Sequence, residues 1–300
     1  MKKTLSIISL ALVLFGCKKS EQAKVEPVKE QTKYQIKFTV SDFAASTAVM
    51  SSPGTKSTMA VGDTLKNYAD NLYYRVYNSN GVWVNTIEQA STASGFGTIS
   101  DALPSGTYSV FIAAAKGSLY TGDKTFSYSN NYFSPYDNWN DTFAKSLTLT
   151  VGTTAINQAV RLDRVVAGLQ VILEDAIPTN AAKISVIINP EASGLRLNGS
   201  SIFGSSPKTT DFTLTTTDKG VKNKSFMMYV ANTFSVTSVS IRAYTSTGNL
   251  IIEKTVPNLT FEKSKRTILT GSLFTGTSNS AAGFAVTVNP SWTTTTPVKF

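Results

Sequence analysis

From Tyr34 to Ser41 the chain alternates without a break: Tyr34, Ile36, Phe38 and Val40 are apolar or aromatic, while Gln35, Lys37, Thr39 and Ser41 are polar. A repeat of two puts successive side chains on opposite faces of an extended strand and leaves no one-sided face for a helix. The pattern returns in Leu147, Leu149 and Val151, and again in Val165, Ala167, Leu169, Val171 and Leu173. β-Rich runs at 72–77 and 82–87 flank Asn78-Ser79-Asn80-Gly81, whose Asn and Gly tolerate the positive φ of a tight turn, so this stretch predicts a hairpin. Leu103-Pro104-Ser105-Gly106 predicts a turn into 107–115, a run apolar on both faces over most of its length that belongs at the centre of a sandwich. Further strands are expected at 183–188, 226–230, 238–244, 250–254, 267–274 and 284–288. Residues 44–70 carry the weakest strand signal and fit a loop or a short helix. With no long amphipathic helix in the series, the fold class is all-β: two tandem antiparallel β-sandwiches of Greek-key, transthyretin- or immunoglobulin-like type.

A repeat supports the division in two. Arg75-Val76-Tyr77-Asn78-Ser79-Asn80-Gly81-Val82 returns in pattern as Arg242-Ala243-Tyr244-Thr245-Ser246-Thr247-Gly248-Asn249. Each copy runs on into a second turn and strand, at 103–108 and at 261–267. The expected sandwiches are 34–157 and 158–300, with the boundary near Asn157 to Leu162.

The first 33 residues differ in kind. Met1, Lys2 and Lys3 make a basic start, and Leu5 to Phe15 an apolar run that suits the core of an export signal and is too short to span a bilayer. The chain's one cysteine follows in Leu14-Phe15-Gly16-Cys17, which resembles the lipobox of bacterial lipoproteins, with Phe15 bulkier than the commonest residue there. That resemblance implies a signal peptide 1–16 cleaved between Gly16 and Cys17, and a Cys17 carrying a diacylglyceryl group and an acylated amino terminus. More than one acyl chain makes anchoring stable. The alternative is that Cys17 is an ordinary residue of a cleaved signal. Residues 18–33 mix Lys, Glu and Gln with Pro27 and almost nothing apolar, so 17–33 reads as a flexible tether.

Composition narrows the chemistry. The net charge of +9 is partly held in the tether, at Lys18, Lys19, Lys24, Lys29 and Lys33, and the rest is scattered without basic runs interleaved with aromatics. Nucleic acid is therefore a poor partner for this chain. The absence of histidine removes Ser/His/Asp and Cys/His catalysis and every histidine-based metal site. Walker and GxGxxG phosphate loops are missing too. Glu174 and Asp175 are adjacent and would face opposite ways on a strand, so they form no acid–base pair. No catalytic residue, cofactor or metal is expected, and the chain is read as a non-enzyme. A histidine-free hydrolase is the least favoured alternative.

Taken in order, the lipobox at Cys17, the hairpin YRVYNSNGVWV, the turn-strand LPSGTYSVFIAA, the segment RLDRVVAGLQVIL and RTILTGSLF near the end resemble the fimbrillin family of type V pili, with its anchor and accessory subunits. The resemblance implies a lipoprotein of two β-sandwiches, lipid-anchored at the outer membrane and exposed at the cell surface, acting in pilus assembly and adhesion. Shaft subunits of the family mature by cleavage after an arginine in an early loop, which opens a groove that a strand of another subunit fills. Here no arginine precedes Arg75, which lies in an expected strand. An anchor or accessory role follows, with Lys56 in Ser51-Ser52-Pro53-Gly54-Thr55-Lys56 as an alternative site for another protease. The candidate inserting strand is 283–289, with Phe284, Val286 and Val288 pointing one way. Alternatively it closes its own sandwich.

The stretch 128–141 is rich in rings and amides. Tyr132, Tyr136 and Trp139 fit either a glycan- or partner-binding loop or an inter-strand loop packed on the sandwich edge. A surface glycan-binding lipoprotein is the alternative function. Asp137, Asn138, Asn140 and Asp141 supply oxygens of the kind calcium prefers, in a spacing that matches no known loop.

Overall fold

The structure is a computed structural model, described here for residues 31–44, 65–275 and 284–289. Strands and sheets are counted among those residues. The signal, Cys17, Lys56 and most of the weak region lie outside them.

The chain runs through β1 (Lys33–Ala44), β2 (Asn71–Asn78), β3 (Trp83–Ala90), β4 (Thr98–Pro104), β5 (Gly106–Ala115), β6 (Leu119–Tyr120), β7 (Tyr132–Pro135), β8 (Thr142–Val151) and β9 (Ile156–Arg164). It continues with β10 (Ala167–Leu173), β11 (Lys183–Arg196), β12 (Ile202–Thr213), β13 (Lys224–Val230), β14 (Thr237–Tyr244), β15 (Leu250–Leu259), β16 (Arg266–Gly271) and β17 (Phe284–Asn289). The helical content described is two single turns, at Leu65–Asn67 and Thr216–Asp218. The chain is all-β, as the alternation requires.

The first half is one sheet in the order β3-β2-β5-β8-β9-β1-β4. β8 and β9 pair only at Phe143 with Arg164 and Ala144 with Asp163, and there the sheet folds over on itself. The two layers enclose a core of Ile36, Phe38, Leu72, Tyr74, Val110, Ile112, Phe143, Leu149 and Val160. The hairpin closes as expected. The Asn78 N–H donates to the Val82 carbonyl at 2.8 Å and the Asn78 side-chain oxygen accepts from Asn80 and Val82 N–H. Gly81 takes φ +75°, a value that penalises any residue with a Cβ. The second copy of the motif turns the same way between β14 and β15, with Gly248 at φ +86°.

In the second half, β13-β10-β16-β17 pack on β11, β14 and β15 around Leu169, Val171, Ile184, Val186, Phe226, Val239, Ile241 and Leu269. β12 forms a long hairpin with β11. Most pairs are antiparallel, but β1 runs parallel to β9 and β10 parallel to β16, so the opening strand of each half gains a parallel neighbour from late in that half. Parallel pairing needs a crossover, which the passage between layers supplies. The expected boundary needs correcting: position 157 lies inside β9, which pairs with β1 and β8, and the change of core comes after Arg164.

β5 is buried on both faces, as its sequence predicts. Val110, Ile112 and Ala114 enter the first core, while Phe111, Ala113 and Ala115 face a third cluster with Tyr73, Tyr77, Phe133, Trp139, Leu195 and Leu197. This third core joins the two halves, and the described residues from 32 onward form one compact unit. Beside it the Arg164 guanidinium donates to both carboxylate oxygens of Asp141, at 2.6 and 2.8 Å, and stands over the Phe143 ring. Both side chains are at most 5% exposed. Breaking a buried pair from one side strands a charge and costs about 3–5 kcal/mol, whereas replacing both with apolar groups of similar volume is often neutral. Asp141→Ala should therefore lower urea-unfolding stability by about that amount, and the double change Asp141→Leu with Arg164→Met should recover most of it.

Candidate functional site

The segment 116–141 decides where the candidate side chains lie. It leaves β5, crosses the outer face of the first sheet and returns as β8. On the way it adds β7 to β11 of the other half, Phe133 beside Leu195 and Tyr132 beside Arg196. Gly194 permits the approach: a Cβ there would sit 2.9 Å from the Phe133 carbonyl oxygen and 2.9 Å from the Tyr132 ring. Asn131 pins the start of β7. Fully buried, it donates to the Tyr77 hydroxyl at 2.8 Å and to the Asp123 carbonyl at 2.7 Å, and accepts from Asp123 and Tyr132 N–H.

The three rings of this segment separate. Tyr132 stacks on Phe203, with centroids 3.6 Å apart and planes 9° from parallel. Trp139 is buried, meets Phe133 edge-on, and its indole N–H donates to the Ala192 carbonyl at 3.0 Å. Tyr136 alone of the three faces solvent, at 70% exposure. The oxygen-rich residues are also dispersed: Asp141 is held by Arg164, while Asp137 is exposed. Among the described residues no group of three or more Asp, Glu, His or Cys is placed to hold a metal. Asp175, weighed above only as a neighbour of Glu174, accepts the backbone N–H groups of Leu273, Phe274 and Thr275 and ties the end of the second half together.

β17 lies at the edge of its sheet, antiparallel to β16, with Phe284, Val286 and Val288 opposite Gly271, Leu269 and Thr267. Phe284 packs against the second core, whereas Val286 and Val288 are 46% and 44% exposed. No described strand occupies its outer edge. Arg75, the earliest arginine, lies in β2 between β3 and β5. It is buried, with hydrogen bonds to Thr86, Thr121 and Glu88, and presents no accessible loop to a protease.

One acidic residue had no signal in the sequence. Glu191 follows a register shift in β11 and is 2% exposed. Its Oε1 accepts three backbone N–H groups, from Ala192 at 2.6 Å, Asn232 at 2.7 Å and Ala231 at 3.2 Å. Oε2 has no hydrogen-bond partner. Burial pushes its carboxyl up to about 7, against the opposing pull of those N–H groups and of the Lys208 charge. Nothing local marks the position, because burial there is made by β12, the 231–232 backbone and the crossing segment.

A match to the family of fimbrillin-A associated anchor proteins Mfa1 and Mfa2 extends over residues 26–296. The chain belongs to this family. Solved structures share its fold at low identity. The fimbrial anchor protein Mfa2 from Porphyromonas gingivalis is 9% identical with a TM-score of 0.52, over 86% of this chain and 97% of that one. A protein from Bacteroides ovatus described as an adhesin is 11% identical with a TM-score of 0.53, over 88% and 94%. A Bacteroides thetaiotaomicron protein described as polysaccharide-binding is 11% identical with a TM-score of 0.51, over 81% and 92%. No curated protein matches the sequence. Members of the anchor family are fimbrial components, so this chain is a fimbrial protein of the anchor family with a cell-surface or fimbrial location.

The Glu191 carboxyl also makes stability depend on pH. The unfolded chain releases this proton near 4.5 and the folded chain near 7, so between these values the folded state holds more protons and stability falls as pH rises. A shift of this size is worth about 3 kcal/mol. Urea unfolding at pH 5 and pH 8 should show the wild type losing more stability than Glu191→Gln by about that amount.

Proposed function

We propose that this subunit is a lipoprotein that keeps its lipid: Cys17 carries the acyl chains, 17–33 is the tether, and the β body is an anchor or accessory component of an outer-membrane pilus. Membership of the anchor family is the observation that carries this reading, and Gly16-Cys17 supplies the attachment chemistry. No helix among the described residues is long and apolar enough to cross a membrane, and more than one acyl chain on Cys17 would make a stable anchor. The burial of Arg75 within β2 supports an uncut chain over a shaft subunit matured after an arginine. Mass spectrometry of protein from native membranes should find an acylated Cys17 start and an intact chain, and Cys17→Ala should release the protein from the membrane fraction. A new amino terminus between 41 and 71 in sheared filaments would make it a shaft subunit instead.

Assembly in this reading runs through the β17 edge. An unpaired edge offers backbone N–H and C=O groups to an incoming strand, and alternate side chains give selectivity. Val286 and Val288 stand exposed on that strand, so their loss costs little folding stability. Replacing both with lysine should leave thermal unfolding within a few degrees of wild type and reduce recovery of fimbrial subunits with the purified protein at least several-fold. Unchanged recovery would assign β17 to its own sandwich alone.

A further inference from the structure

Between the β11–β12 hairpin and the crossing segment lies a small cavity of about 130 Å³. Its walls are Pro135, Asp137 and Trp139 on one side and Glu191, Ser193, Ser206 and Lys208 on the other. The hairpin register explains the grouping: Ser206 sits directly across from Glu191, and Lys208, two residues on, returns to the same face. Trp139 is held by its hydrogen bond to Ala192 and gives the cavity a fixed apolar wall. Glu191 lies at the floor, with Oε1 saturated by three N–H groups and Oε2 left over.

A buried carboxylate oxygen without a partner costs free energy that a ligand donor would return. What that ligand is follows from the rest of the wall. Lys208 donates, Asp137 accepts, and the hydroxyls of Ser193 and Ser206 do either. A cation would meet Lys208, and an anion would meet Asp137 and Glu191, so neither suits the set. A neutral polyhydroxylated group suits it, since each hydroxyl both donates and accepts and the carbon face of the ring can lie against indole and proline. The volume admits the edge of one sugar ring and excludes a longer glycan.

We infer that this cavity is a binding site for a single neutral sugar residue, such as the terminal residue of a glycan, with Glu191 at its floor, Trp139 as its apolar wall and Lys208 and Ser206 closing the mouth. The site is independent of the lipid anchoring proposed above and would equip the subunit for adhesion. It also differs from a surface built on the exposed Tyr136 ring, which lines a separate cavity with Tyr73, Glu88 and Gln89.

The test is saturation-transfer NMR on the full chain, purified in a detergent without a sugar headgroup, against glucose, galactose, mannose, fucose and N-acetylglucosamine. At least one sugar should show saturable transfer in the millimolar range, weakened tenfold or more by Glu191→Gln and abolished by Ser206→Trp, which fills the mouth from an exposed strand position. Tyr136→Ala should leave the signal unchanged. If Glu191→Gln does not fold, Ser206→Trp and Lys208→Ala carry the comparison, since both positions lie on the exposed hairpin strand. Absence of transfer from all five sugars overturns the inference. So does a signal that survives Ser206→Trp and Lys208→Ala, or one that disappears with Tyr136→Ala.

Discussion

The two-faced burial of β5 is the constraint on which the rest of the molecule depends. A strand with Val110, Ile112 and Ala114 on one side and Phe111, Ala113 and Ala115 on the other needs an apolar cover on both. The folded-over sheet supplies the first, through β1, β4 and β9. The second has to come from elsewhere, and it comes from 116–141 together with the far end of β11. Burying aromatic and aliphatic side chains at about 25 cal/mol per Å² makes that cover worth several kcal/mol, enough to hold the two halves as one body. The buried Arg164–Asp141 pair sits where the chain passes from one half to the other, so a charged interaction fixes the geometry that the apolar contacts drive.

This arrangement gives the fold a division of labour. Several of its polar groups serve structure: buried Asn131 orders the crossing segment, half-buried Asp175 gathers the end of the second half, and buried Asp141 balances Arg164. What remains for function lies at edges and seams. β17 presents a backbone edge and two exposed valines, and the seam under the crossing segment leaves Glu191 with half of its carboxylate unused. The assembly and sugar-binding roles proposed above would draw on surfaces of this kind, presented by a rigid scaffold.

Much of this could be read locally. The Tyr34–Ser41 alternation, the Asn78–Gly81 turn and the two-sided apolar run at 107–115 each depend on neighbours within ten residues, and each forms as expected. The aromatic segment at 128–141 was harder because its rings share a composition and differ in partners. Tyr132 meets Phe203 and Trp139 meets Ala192, both more than fifty residues away, so nothing nearby distinguishes them from Tyr136. The boundary moved for a similar reason: β9 belongs to the first half through its parallel pairing with β1, a contact over more than a hundred residues.

By itself the sequence determined the all-β class, the faces of the strands, the turn positions and a chemistry without histidine, because alternation, glycine conformation and side-chain inventory are local properties. The tertiary structure alone decided which strands lie at edges, which rings are buried and which carboxyl is buried with one oxygen lacking a hydrogen-bond partner. Those depend on contacts between segments far apart in the chain, and a hydrogen bond or a desolvated charge exists only once both sides are in place.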